Sequence, residues 1–164
     1  MPPLKLNKMS KDDKKATSTN VDKKAIATDV AVNELKEFLK IHLKKEFRRG
    51  LITDEKIQED YPDVIEALED GLLTFDDKMK PSYKLRYPLF EQAENKDLVV
   101  KQVTFRQRLK GADKSVLLNG LNPQKELGTY IIKTVSYITQ LSITEVKELE
   151  KDDFETLNQL CSVF

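Results

Sequence analysis

The chain has 164 residues, with 28 basic and 28 acidic side chains, one histidine and one cysteine. That length suits one domain, or one domain with an extension, and can bury a real core. Zero net charge gives no global attraction to nucleic acid or an anionic membrane, and a single cysteine excludes an internal disulfide.

The charge is blocked along the chain. Residues 1–49 carry 13 basic and 7 acidic side chains, a net +6, and residues 51–77 carry 1 and 10, a net −9. Residues 78–110 carry 9 and 3, a net +6, and residues 111–164 carry 5 and 8, a net −3. Such blocks suit attraction within a molecule or between neighbours, and equally suit solvated helix faces. No apolar stretch approaches the ~20 residues of a membrane span. No secretory signal is recognised, and the expected location is the cytoplasm.

Residues 1–27 are rich in Lys, Asp, Ser and Thr without an apolar period, and read as a flexible or partner-bound arm. If a partner holds it, Leu4, Leu6 and Met9 are the anchors. Residues 28–80 read as a helical region. Val32, Leu35, Phe38, Leu39, His42, Leu43 and Phe47 recur at spacings of three and four, predicting one helix over Asp29–Arg49. Thr28 or Asp29 is expected to cap it, and Gly50 to stop it. Thr53 opens a short helix to about Asp60. Pro62 opens another, with Val64, Ile65 and Leu68 inward and Gly71 as its end.

After Leu72, Leu73 and Phe75 a polar break at Asp76-Asp77-Lys78 reads as a turn. Residues 83–90 and 97–109 read as strands of a hairpin, with Pro88 marking the first as an edge or irregular strand. Residues 81–164 combine this hairpin with a helical bundle. Asp113 is expected to cap a short helix to Leu118, and Asn122-Pro123 to begin a longer one ending near Gln140. Ser142 with Glu145 forms a capping box, and Asp152 with Glu155 is expected to repeat it. The predicted fold class is α+β, mainly α: N-terminal arm and helices, a central β-hairpin or small sheet, and a C-terminal helical bundle.

No catalytic, cofactor-binding or metal-ligating set emerges. His42 sits among Leu39 and Leu43 and reads as a packing residue, and Cys161 as a small buried thiol. The five glycines are scattered, so no phosphate-cradling loop is present. The paired acids are explained by a turn and a cap, and an enzyme is disfavoured. Arg106, Arg108, Lys101 and Lys110, near Phe105 and Tyr87, form a basic hairpin that could meet nucleic acid phosphates and bases. A charged outer face that deters edge-to-edge pairing explains the same residues, and nucleic acid is the weaker reading.

The segment Val103-Thr-Phe-Arg106, followed by Lys110-Gly-Ala-Asp113, resembles the strand and GxD-type turn of bacteriophage tail assembly chaperones of the Mu-like group. Ile138-Thr-Gln-Leu141-Ser142-Ile-Thr-Glu145-Val146 and Leu149-Glu-Lys-Asp152-Asp153-Phe154 resemble that family's closing pattern. The resemblance covers the C-terminal half. It departs where Gln107-Arg108 follows Arg106 in place of the family's common proline, and residues 1–80 have no counterpart. It implies a non-enzymatic protein of the infected bacterial host cytoplasm that binds the tape measure protein and tail tube subunits, with self-association among the expected contacts. Tyr130, Tyr137, Phe164, Arg106 and Arg108 are the partner-binding candidates, while Phe154 and Leu157 read as core. The alternative is a structural tail or baseplate subunit of the virion.

Overall fold

The computed structural model describes residues 24–164, so the anchors expected at Leu4, Leu6 and Met9, and most of the arm, lie outside the described residues. The fold is α+β and mainly α. Among the described residues the chain order is α1 (Thr28–His42), α2 (Lys44–Arg48), α3 (Asp54–Asp60), α4 (Pro62–Glu69), β1 (Leu73–Phe75) and β2 (Pro81–Leu89). A 3₁₀ turn (Lys96–Leu98) and β3 (Val100–Thr104) follow, then α5 (Gly111–Leu118), α6 (Leu127–Thr139), α7 (Ile143–Glu148) and α8 (Lys151–Cys161).

The helix expected over Asp29–Arg49 is two. Leu43 leaves helical geometry (φ −108°, ψ 46°), yet Leu43 and Phe47 both pack against the core. The apolar spacing runs through the break unchanged, so the pattern could not reveal it. Neither Thr28 nor Asp29 caps α1: Ala27 holds that position, and the Thr28 hydroxyl donates instead to the Glu69 carboxylate. Thr53 does cap α3, accepting from the Lys56 N–H at 3.2 Å, and Gly50 and Gly71 take the left-handed conformations at their stops.

The sheet is antiparallel with order β1-β2-β3, the small sheet of the predicted fold class, with β1 added to the two strands read from the sequence. β1 occupies the apolar residues before the Asp76 turn, pairing Leu73 with Tyr83 and Phe75 with Pro81. The second predicted strand is cut from 97–109 to Val100–Thr104. Thr104 pairs with Ser82, next to the start of β2 at Pro81, so β3 has almost no partner beyond it. The Arg106 N–H donates instead to the Ile138 carbonyl at 2.8 Å. Between Lys84 and Leu89 the register with β3 shifts, and Pro88 lies inside that irregular stretch.

Three more starts move. Asp113 lies inside α5, where its carboxylate accepts from the Lys110 N–H at 2.5 Å. The Glu126 carboxylate accepts from the Asn122 N–H at 2.9 Å and the Asn122 side-chain oxygen from the Gln124 N–H at 3.1 Å, a local turn that delays α6 to Leu127. Asp152 caps nothing: Glu150 precedes α8 and Asp152 sits in its first turn. Ser142 and Glu145 form the expected reciprocal capping box.

One core joins residues on both sides of position 80. Leu35, Phe38 and Leu39 of α1, Ile57 of α3, Leu68 of α4, Tyr83 and Leu85 of β2, Phe105, Ile138 of α6, and Leu157 and Leu160 of α8 are all essentially inaccessible to solvent. Each such aliphatic or aromatic side chain contributes roughly 1.5–3 kcal/mol by leaving water. No helix among the described residues is long and apolar enough to cross a membrane.

Candidate partner-binding site

Arg106 stands where β3 has ended and the chain turns toward α6. Its Nε donates to the Tyr137 carbonyl at 2.6 Å, and its guanidinium lies 4.2 Å from the centre of the Tyr137 ring. That distance is within cation–π range. The Tyr137 hydroxyl donates to Asp113 at 2.5 Å, so the ring is clasped between a cation and an anion. The Asp113 carboxyl is held below its usual range, first by this hydrogen bond and then by the Lys110 N–H, while the Tyr137 phenol is pushed up, first by the bond to Asp113.

Phe164 is half-buried at the end of the chain. Its ring packs 6.2 Å from Phe105 and nearly parallel to it, 5.9 Å from Phe38 and 4.9 Å from His42. His42 is the packing residue its neighbours suggest, and burial, then the Arg108 charge, lowers its pKa. Cys161 is buried, and burial pushes its thiol up.

Three of the five candidates meet at one crevice. Phe164, Arg106 and Arg108 share a cavity of about 250 Å³ with His42, Lys78 and Lys80, while Ile41, Met79 and Pro81 supply its apolar surface. Lys78 and Lys80 reach it from the turn before β2. Asp76 organises that turn by accepting from both their backbone N–H groups at 2.8 Å, and Met79 adopts a left-handed φ of 57° between them. Tyr137 touches the crevice only through Arg106. Tyr130 lies seven residues earlier on α6, about 10 Å along the helix, and is not part of it.

The α5–α6 pair offers a different surface. The Tyr137–Asp113 bond and a 3.3 Å bond from Lys133 Nζ to the Asn119 carbonyl fix the two helices antiparallel. α5 buries only Leu117. Val116 and Leu118, with Leu127 beyond the 119–126 loop, remain 58 %, 39 % and 58 % exposed, and Tyr130, half-buried, lies about one turn after Leu127 on α6.

A larger hollow, about 800 Å³, lies between Lys24, Pro62, Ile65, Glu66, Glu69, Asp70, Leu72 and Arg86. Its charges are paired: Arg86 reaches Asp70 at 2.7 Å and Glu66 at 3.3 Å, and Lys24 reaches Glu69 at 2.7 Å. It braces α4 to β2.

Sequence reasoning missed Lys78, Lys80 and Met79 as companions of Arg106 and Arg108. The positive block over residues 78–110 was the available signal, but only the β2–β3 pairing brings its two ends together. No protein-family profile, curated protein or solved structure matches this chain.

Proposed function

We propose that the protein works by non-covalent binding, as a phage tail assembly chaperone that keeps the tape measure protein soluble and recruits tail tube subunits. The observation that carries this reading is the α5–α6 pair, which leaves Val116, Leu118 and Leu127 in water around one loop. Val116 and Leu118 lie about 200° apart around α5, so the pair offers exposed apolar groups on more than one face to an amphipathic helix. A tape measure is a long helical chain with apolar stretches, so many weak copies along it gain by effective concentration. The resemblance of Tyr83–Phe164 to tail assembly chaperones supports the same reading.

The test is co-expression with the tape measure protein of the same phage. A soluble complex is expected, and Val116→Glu with Leu127→Glu should abolish it while leaving the thermal melt within a few degrees of wild type. Mass spectrometry should then find the protein in infected-cell lysate and not in purified particles. Fixed stoichiometric presence in particles would overturn the chaperone reading in favour of a tail or baseplate subunit. A tape measure that stays insoluble in the wild-type co-expression would overturn it as well.

A further inference from the structure

The crevice at Phe164 does not end at its own rim. His42 and Arg108 are shared with a second hollow, about 350 Å³, whose other walls include Lys44, Lys45 and Arg48 of α2. The two together make a trough. Lys78, Lys80, Arg106 and Arg108 line one half, and the three α2 cations line the other. Among the described residues none of these seven forms an ion pair with an acidic side chain. The acids nearby are Glu46 on the wall of the second hollow, Asp76 and Asp77 in the turn that carries Lys78 and Lys80, and Asp113 within reach of Arg106.

The acidic block of the same chain is treated differently. Asp54 pairs with Lys36, Asp60 with Lys56, and Glu66 and Asp70 with Arg86. The negative side is thus partly neutralised internally, and the positive trough is not. Residues 1–23 carry 6 basic and 3 acidic side chains, a net +3, so by composition they bring no net negative charge. A partner segment rich in carboxylates would complement the trough.

We propose that this trough binds an acidic peptide segment of a partner protein, with one apolar side chain seated against Phe164 and Met79. The apolar floor favours peptide over a nucleic acid backbone, which needs cations but no such floor. Base stacking needs a free aromatic face, and the Phe164 ring is packed by Phe105, Phe38 and His42. A cavity of about 250 Å³ takes a single side chain with its flanking carboxylates on the rim. The site is separate from the α5–α6 surface, so it stands or falls independently of the chaperone reading.

The experiment is fluorescence anisotropy of the full chain with a short labelled peptide of repeated Glu-Glu-Leu. Competing probes are Glu-Glu-Ser, Lys-Lys-Leu and an oligothymidylate. Glu-Glu-Leu should bind, Lys-Lys-Leu should not, and Glu-Glu-Ser should bind about fivefold more weakly. Salt should weaken all acidic binding. Arg108→Glu should cost about tenfold, with Arg108→Lys restoring most of it. Lys151→Glu, an exposed charge on α8, should leave binding unchanged. Identical circular dichroism melts for the variants establish that folding is not the cause. Tighter binding of the oligothymidylate would overturn the proposal and assign the trough to nucleic acid. Equal binding of Lys-Lys-Leu, or an Arg108→Glu protein that binds like wild type, would also overturn it.

Discussion

The hydroxyl of Tyr83 donates a 2.6 Å hydrogen bond to the carboxylate of Asp153, and both residues are wholly buried. The same carboxylate accepts from the backbone N–H groups of Arg86 at 2.9 Å and Tyr87 at 3.0 Å. β1 stops short of this part of β2: the Lys84 N–H still reaches the Leu72 carbonyl, and two residues on the chain has no strand to bond. Asp153 fills that role from α8, fastening the last helix to the middle strand. Burial, then the bond to Asp153, pushes the Tyr83 phenol far above its ordinary value.

Asp153→Ala therefore leaves one buried hydroxyl and two part-buried backbone donors without their acceptor and should cost about 2–4 kcal/mol. Tyr83→Phe removes one donor and leaves the carboxylate two backbone partners, for about 1–2 kcal/mol. Urea unfolding midpoints check both. A loss below about 1 kcal/mol for Asp153→Ala would show that water or a local shift replaces the carboxylate.

Acid stability should depend on Glu69. Its carboxyl is held below the ordinary value of 4.5, first by Lys24 and then by the Thr28 hydroxyl. A carboxyl depressed in the folded state stabilises fully above its unfolded pKa, and that contribution is lost as pH falls through the lower folded value. Asp76 and Asp113 are depressed in the same direction. The urea midpoint should thus decline below about pH 4.5, and Glu69→Gln should make that decline shallower. An unchanged slope in the Gln variant would remove Glu69 from the account.

Two glycines should respond oppositely to alanine. Gly71 has φ +71°, and a Cβ there would lie 3.2 Å from the Ala25 Cβ, so Gly71→Ala should destabilise by about 1–2 kcal/mol. Gly111 begins α5 with open space around it, and Gly111→Ala should be neutral or stabilise by up to about 1 kcal/mol. Thermal melts of the two variants decide it, and equal shifts would refute the conformational argument.

What the amino-acid sequence determined by itself is local. Thr53 before α3, Pro62 at the first turn of α4, Gly50 and Gly71 at helix ends, and the Ser142–Glu145 box are all contacts within a few residues, so chain order specifies them. The inward residues of α1 and α4 were legible for the same reason: helical period alone places Leu35, Phe38 and Leu68 on one face. Tertiary structure decided the rest. Thr28 was free to cap α1, and only the approach of α4 gave its hydroxyl a better acceptor in Glu69. Asp152 and Asp153 are indistinguishable as letters, yet the angle of α8 on β2 sends one into water and the other into the core. Arg106, Arg108, Lys78 and Lys80 became one crevice because an antiparallel ladder closes a loop of some twenty residues, a long-range event that no local spacing encodes.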